Sequence, residues 1–584
     1  MSYGLTQRRT INATTDYSLD LAGDHHFEFM LGMNRVDYRY KDFWTRKTNL
    51  LDITNPQIAL ATGTITNGGS DTWSSTLGFF GRLNYNYKER YLLEANIRYD
   101  GSSKFPKHLK WMWFPSVSAG WRVTEEPWME GAKDVLSAMK LRASWGTIGD
   151  QSVAGSMYIP TMSSTLSTWI HDGARDTYFN TAGAIASDIT WQMIETIDFG
   201  ADLSFFNSLN ITFDWFRRKT NGMIVPGPGV GYAYGTTAPQ GNFGSLHTDG
   251  WELSVNYGHM FDNGFSVSAT ATLADAVTTI TKYGATQSID DWYVGKTYGE
   301  IWGYRVDRLY QNSDFEWQNG SLVRVEANDP SNPANYQYAH YKMTDPNAPL
   351  QGRFNASNSV MFGPGDVKYR DLDGDGIIND GKRLLDDHGD LDIIGNTTPR
   401  YEYSFRLDLG WKGIDFSMFW QGIGKRDMWG SSSLTLPGFN SSDGAMAAAF
   451  ADNFWYEEFK DGSLVDSHYD AFYPRAYNMG NGTSGFNLLT NDRYLLNMAY
   501  LRLKNVTLGY SLPVKMIRKI NMQKARIYVS LENFLTFDHL KGMPVDPEVV
   551  AGVSSLLSSG YNASRAAVGA PAMRTASFGL QLTF

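Results

Sequence analysis

A period of two runs through most of this chain. Phe578, Leu580, Leu582 and Phe584 alternate with Ser577, Gly579, Gln581 and Thr583. Leu209, Ile211, Phe213 and Trp215 alternate with Asn210, Thr212 and Asp214, and Trp251, Leu253, Val255 and Tyr257 with Glu252, Ser254 and Asn256. Further such runs are Tyr403–Leu409 and Ala525–Leu531. Successive strand side chains point to opposite faces, so each run makes a strand with one apolar and one polar side. The pattern predicts an all-β protein of about fifteen strands, near 10–21, 27–40, 76–87, 91–99, 113–123, 139–147, 190–206, 209–219, 249–259, 265–274, 400–411, 413–421, 498–511, 525–536 and 573–584.

The connections narrow the choice. Asn207-Ser208, Lys88-Glu89-Arg90 and Lys412-Gly413 are tight turns, whereas 41–75, 148–189, 220–248, 275–399, 423–497 and 537–572 are long. Soluble sandwiches seldom need such lengths, since most connections span about 4–6 residues. A transmembrane antiparallel β-barrel alternates short periplasmic turns with long extracellular loops and closes strands of about ten residues. Aromatics at strand ends, among them Tyr85, Tyr91, Tyr99, Trp113 and Trp121, suit the interfacial girdles of such a barrel. A soluble sandwich or propeller is the competing architecture. There the apolar faces would pack on a second sheet, and alternation by itself does not separate the two.

Composition removes other classes. Among 584 residues there is no cysteine, which excludes thiolate metal centres, disulfide scaffolds and a cysteine nucleophile. Only 19% of residues are charged against about 25% in average chains, and 14% are aromatic. A net charge of -10 without Lys/Arg runs argues against nucleic acid as a partner. No stretch reaches the ~18 apolar residues of a membrane helix. Residues 1–9 carry a basic pair with no apolar segment after it, which is not the form of a signal peptide. An odd strand count does not close an antiparallel barrel, so either the count is off by one or strands are missing upstream.

Several blocks carry a resemblance. Tyr500-Leu501-Arg502-Leu503-Lys504-Asn505-Val506-Thr507-Leu508-Gly509-Tyr510-Ser511-Leu512-Pro513, followed by Ala525–Phe534, resembles a signature of SusC/RagA-type TonB-dependent outer-membrane transporters. Arg98–Phe105, Phe114–Arg122, Leu141–Gly146, Gly395–Tyr401 and Trp411–Phe416 are similar to other blocks of that family. Together they span nearly the whole chain from Tyr91 onward. The resemblance implies a barrel of about 22 strands, a size known for plugged transporters. It also implies a plug domain, a SusD-like surface lipoprotein over the mouth, energy from the TonB complex, and uptake of oligosaccharides or peptides. On that basis residues 1–584 are expected to be the C-terminal part of the barrel, with plug, TonB box and signal peptide absent. The terminal Phe584 resembles an outer-membrane assembly signal.

One local pattern points to a metal. Asp371-Leu372-Asp373-Gly374-Asp375-Gly376-Ile377-Ile378-Asn379-Asp380 places three carboxylates at alternate positions, as in the first half of an EF-hand loop. Asp371, Asp373, Asp375, the Ile377 carbonyl and Asp380 are the expected ligands of a structural Ca²⁺. The twelfth position, where an acid belongs, holds Lys382, so Asp380, Asp386 or Asp387 would have to substitute. An acidic surface turn is the plainer reading. Trp169, Tyr232, Tyr234, Trp292, Tyr293, Trp455 and Tyr456 lie in long segments, where they would stack on sugars, line a lid contact or simply pack the loops. His25-His26 is expected in a solvated turn, and Asp466, His468 and Asp470 in a loop without a frame. No catalytic constellation stands out. The expected function is therefore outer-membrane nutrient import. The alternative is a soluble or surface carbohydrate-binding β-protein or glycan-degrading enzyme, which would need a pair of carboxylates about 5–10 Å apart.

Overall fold

The computed structural model describes residues 2–155, 157–231, 233, 235, 238–284, 287–328, 338–351, 361–430, 435, 448–476, 487–518, 522–543, 545–548 and 572–584. Among these residues one sheet joins fifteen strands, each hydrogen-bonded to its neighbour in the chain. They are β1 (Ser2–Leu21), β2 (His25–Lys47), β3 (Ile65–Tyr87), β4 (Tyr91–Ser102), β5 (Trp111–Arg122), β6 (Leu136–Asp150), β7 (Gln192–Phe205), β8 (Leu209–Pro226), β9 (Gln240–Met260), β10 (Ser266–Lys282), β11 (Arg400–Trp411), β12 (Ile414–Lys425), β13 (Tyr500–Ser511), β14 (Lys524–Asp538) and β15 (Thr575–Thr583). This is the up-and-down order that tight turns enforce. No described helix is long and apolar enough to cross a membrane.

Several strands outrun the alternation that announced them. β1 begins at Ser2, and β2 and β3 pair without a register break from His25–Tyr87 to Lys47–Ile65. The expected long segment 41–75 thus shrinks to 48–64, and 220–248 to 227–239. The physical reason is that apolar alternation is required only where one face is lipid. Beyond that level polar and apolar residues mix on both faces, and hydrogen bonding alone continues the ladder. The two histidines also differ from expectation. The turn ends at Asp24, and His25 and His26 open β2 on opposite faces.

Contacts divide the chain into two compact units. The first comprises Met1–Trp251 with Val277–Thr286 and Tyr293–Gly295. Its strands carry a bare apolar face: Phe29, Leu31, Leu93, Ile97, Val117 and Phe199 are all exposed, Phe199 by 54%. A large aromatic side chain buries 150–250 Å² at about 25 cal/mol per Å². Left half in water, each forfeits about 2 kcal/mol, and a dozen would outweigh the roughly 5–15 kcal/mol that stabilise a domain. No described segment covers this face within the unit, so hydrocarbon is the solvent it fits.

Aromatic girdles bound that face. Near the short turns, His25 and Tyr87 lie 4.7 Å apart, Phe27 and Tyr85 4.7 Å, and Tyr91 and Trp121 6.5 Å. Towards the long loops, Tyr99 stacks on Trp113 at 4.3 Å and on Trp111 at 4.9 Å, and Trp111 reaches Phe79 at 6.4 Å. Gly101 makes this possible: a Cβ there would meet the Trp111 indole at 2.7 Å.

The second unit comprises Glu252–Ala276, Gln287–Trp292 and Lys296–Phe584. Its strands also expose apolar side chains, among them Leu508 (55%) and Phe578 (77%). Its long connections fold into an assembly with its own core, including Tyr304, Tyr310, Val367, Tyr369, Ile378, Phe450, Trp455 and Tyr494. Short antiparallel pairs frame it: Glu300–Tyr304 with Leu391–Asn396, Val306–Leu309 with Val367–Tyr369, and Tyr456–Lys460 with Ser463–His468. Buried Asp366 anchors the assembly. It accepts from Arg475 at 2.9 and 2.8 Å, from Asn487 Nδ2 at 2.9 Å and from the Gly363 N–H at 2.7 Å.

Candidate functional site

The polar face of the first unit's strands is the first candidate. Glu94 and Asn96 on β4, Ser118 on β5, Arg142 and Ser144 on β6 and Asp198 and Asp202 on β7 alternate with the bare apolar residues, so they share the opposite side. Arg142 bridges three strands. It donates to Asp202 at 2.8 and 3.0 Å, and its guanidinium lies 2.8 Å from Asp214 on β8. Gly200 leaves the room, since any Cβ there would collide with Arg142 and the Asp214 carboxylate. Arg98 pairs with Asp100 at 3.0 Å, and Arg82 donates to Asn96 at 2.9 Å. His26 joins this side between Asp20 (2.6 Å) and Glu28 (3.3 Å).

Two recesses open on the face, one of about 410 Å³ beside Glu28, Asn84, Glu94, Lys140 and Arg142, one of about 500 Å³ beside Arg82, Asn96, Arg98 and Ser116. Mixed carboxylates, guanidinia, amides and hydroxyls suit a hydrated passage for polar solutes. Nothing in them activates a nucleophile. No residue of this face was singled out in the sequence; polar side chains alternating with apolar ones along the strands were the available signal.

The acidic loop is the second candidate. Its second half is tied to the core by the Leu350 N–H donating to the Gly376 carbonyl at 2.9 Å and the Ile378 N–H to the Leu350 carbonyl at 3.0 Å. Asp371, Asp373 and Asp375 come together, each with a carboxylate oxygen within 4.8 Å of the others. Backbone N–H groups of Gly374 and Gly376 donate to Asp371, and that of Ile377 to Asp375. Asp380 is not in the group; it faces Arg383 at 3.4 Å. Lys382 turns to Asp387 at 2.7 Å. The fully buried Asp390, which the sequence did not bring forward, accepts from the N–H groups of Leu372 (2.7 Å) and Asn379 (2.8 Å). Burial and the charges of Asp373 and Asp371 raise its carboxyl above the usual range, against those two hydrogen bonds. An all-oxygen donor set of this charge fits a hard cation such as Ca²⁺.

The loop aromatics separate by burial. Trp169 stands 83% exposed on the hairpin of Ser164–His171 and Ala174–Phe179. Tyr293 and Trp455 are buried and take part in packing. Tyr232 and Tyr234 lie outside the described residues. Asp466 and His468 do have a frame, the hairpin of Tyr456–Lys460 and Ser463–His468, where the Tyr456 hydroxyl donates to Asp466 at 2.8 Å.

The family model for the "TonB dependent receptor-like, beta-barrel" matches residues 2–337, more than half of the chain. The chain belongs to that family. It is 26% identical to the TonB-dependent receptor P3 of Formosa agariphila, over 86% of this chain and 45% of that protein. It is 27% identical to the TonB-dependent receptor SusC of Bacteroides thetaiotaomicron, over 83% of this chain and 42% of that protein. The chain therefore spans about half the length of the curated relatives it matches. Among solved structures, that of the RagAB peptide importer in its closed-closed state superposes with a TM-score of 0.72 at 18% identity, covering 100% of this chain and 56% of that one, which shows a shared fold. This TonB-dependent receptor barrel is an outer-membrane protein, and its family is one of receptors and transporters, not enzymes. The soluble sandwich and glycan-degrading readings are set aside on that ground.

Proposed function

We propose that this chain forms the C-terminal part of the barrel of a SusC/RagA-type importer that carries oligosaccharides or peptides across the outer membrane. In this reading a SusD-like lipoprotein covers the long loops, and the TonB complex supplies energy through a plug outside residues 1–584. The sheet is part of a wider closed barrel of about 22 strands. The observation that carries the reading is the pairing of opposite faces on the same strands: a girdled apolar face for lipid and a charged, recessed face for polar solutes. RagAB is a peptide importer, which favours a peptide as cargo, and the SusC/RagA resemblance keeps an oligosaccharide beside it. The acidic loop holds a structural Ca²⁺ through Asp371, Asp373 and Asp375. The Ile377 carbonyl completes the set, whereas Asp380 stays with Arg383; the ion braces the loop without any part in chemistry.

Uptake tests the proposal. Cells producing the full-length receptor should accumulate a labelled oligosaccharide or peptide pool, and should lose at least tenfold of that uptake when TonB is deleted. Uptake that persists at the same rate without TonB would overturn energised import, and an uncharged monosaccharide entering equally well would indicate a passive pore.

A further inference from the structure

β1, β2 and β3 run for 20, 23 and 23 residues, whereas a tilted spanning strand needs about 9–11. The girdle of Phe79, Tyr99, Trp111 and Trp113 marks where the apolar band ends. Register carries that level to Met33 of β2, opposite Phe79, and to Ala13 of β1. The three strands continue past it without a bulge, so alternate residues stay on the girdle-bearing face.

On that face the next residues of β2 are Arg35, Asp37, Arg39 and Lys41. Opposite Asp37 on β1 stands Arg9, and opposite Lys41 on β3 stands Asp71. Four cations less two carboxylates leave +2 on a patch three strands wide, in a chain whose net charge is -10. Arg39 donates to Asp71 at 2.9 and 2.7 Å, Lys41 reaches the same carboxylate at 3.1 Å, and Arg35 reaches Asp37 at 3.0 Å. These pairs order the side chains while about half of each cation stays exposed.

A surface that is apolar, then aromatic, then cationic with exposed Ile11 and Trp73 among the cations follows the section of a lipid leaflet, where hydrocarbon gives way to headgroup. Guanidinia bind phosphate through two nitrogens, and basic groups at a lipid surface attract anionic headgroups. A soluble anion would use the cations alone; a lipid uses the cations and the apolar face together. We infer that Arg9, Arg35, Arg39 and Lys41 hold the phosphate-bearing headgroup of an outer-leaflet lipid whose acyl chains lie on the apolar face below the girdle. The inference rests on the reading of that face as membrane-embedded.

Each basic group at a lipid surface is worth about fivefold in affinity. Native mass spectrometry of the detergent-purified full-length receptor, titrated with diphosphorylated or dephosphorylated lipid A, reads the effect. Wild type should bind the diphosphorylated probe preferentially, and R35Q/R39Q/K41Q should lose roughly a hundredfold of that preference. R35K/R39K should retain most of it, and inorganic phosphate at the same concentration should not compete. An unchanged preference in the triple variant overturns the site, even where a bound protein partner is lost. So does effective competition by inorganic phosphate. Membrane fractionation and heat-modifiable gel mobility run alongside. A receptor that leaves the membrane fraction without detergent would instead refute the embedded face.

Discussion

Asp373 sits second of three carboxylates whose oxygens converge, and two nearby cations pair elsewhere: Lys382 with Asp387, Arg383 with Asp290 and Asp380. A bound cation offsets the converging charge, with an affinity that scales with ligand charge. Calorimetric titration of the full-length receptor with CaCl₂ should show one site of about 10⁻⁴–10⁻³ M, and Asp373→Asn should weaken it at least tenfold. Absence of heat from wild type would remove the ion from the loop. This cluster was legible because its geometry is local: alternating aspartates close on themselves through N–H groups two to five residues away. The anchoring of Asp366 by Arg475 and Asn487 was not legible. Those partners lie more than a hundred residues off, and nothing in their spacing brings them together. Asp390 was hidden in the same way, since its role depends on burial that only the folded loop creates.

At the scale of elements, β13 offers a clamp. Arg502, at its loop-side end, is buried and donates to both oxygens of Asp546, at 2.9 and 3.3 Å, and to Thr536 of β14 at 2.9 Å. Burial pushes the Asp546 carboxyl up, but the bonds from Arg502 and from the N–H groups of Ala572 and Glu548 outweigh it and hold the carboxyl below its ordinary value. A carboxyl whose folded value is depressed stabilises the docked loop above its unfolded value near 3.9 and loses that contribution as pH falls through the folded value. Exchange protection of Val545, Asp546 and Glu548, corrected for the intrinsic pH dependence of amide exchange, should therefore be constant from about pH 5 to 8 and begin to fall as pH drops below about 4. Asp546→Asn should show the reduced protection at every pH; a variant as protected as wild type at pH 7 would contradict the clamp. The strands themselves were legible wherever lipid demands an apolar face. Each of the fifteen expected segments overlaps one strand of the sheet. Their outer extensions, 41–47 of β2 and 65–75 of β3, were not, because Thr66-Asn67-Gly68-Gly69-Ser70-Asp71 reads as a polar loop until the ladder is seen.

At the scale of the whole molecule, β1 and β15 stand at the two ends of the strand order. The separation of the girdles sets one more property. Tyr91 and Tyr99 lie eight residues apart on β4, about 26 Å along a strand and roughly 20 Å across the membrane once tilt is included. Ordinary bilayers have a hydrocarbon core of about 30 Å, and the bacterial outer membrane is thinner. At a fraction of a kcal/mol per ångström of mismatch, the wrong membrane costs several kcal/mol. The spacing of two rows of aromatic rings is thus a gauge of thickness, penalising a stray copy in a thicker bilayer with no address label needed.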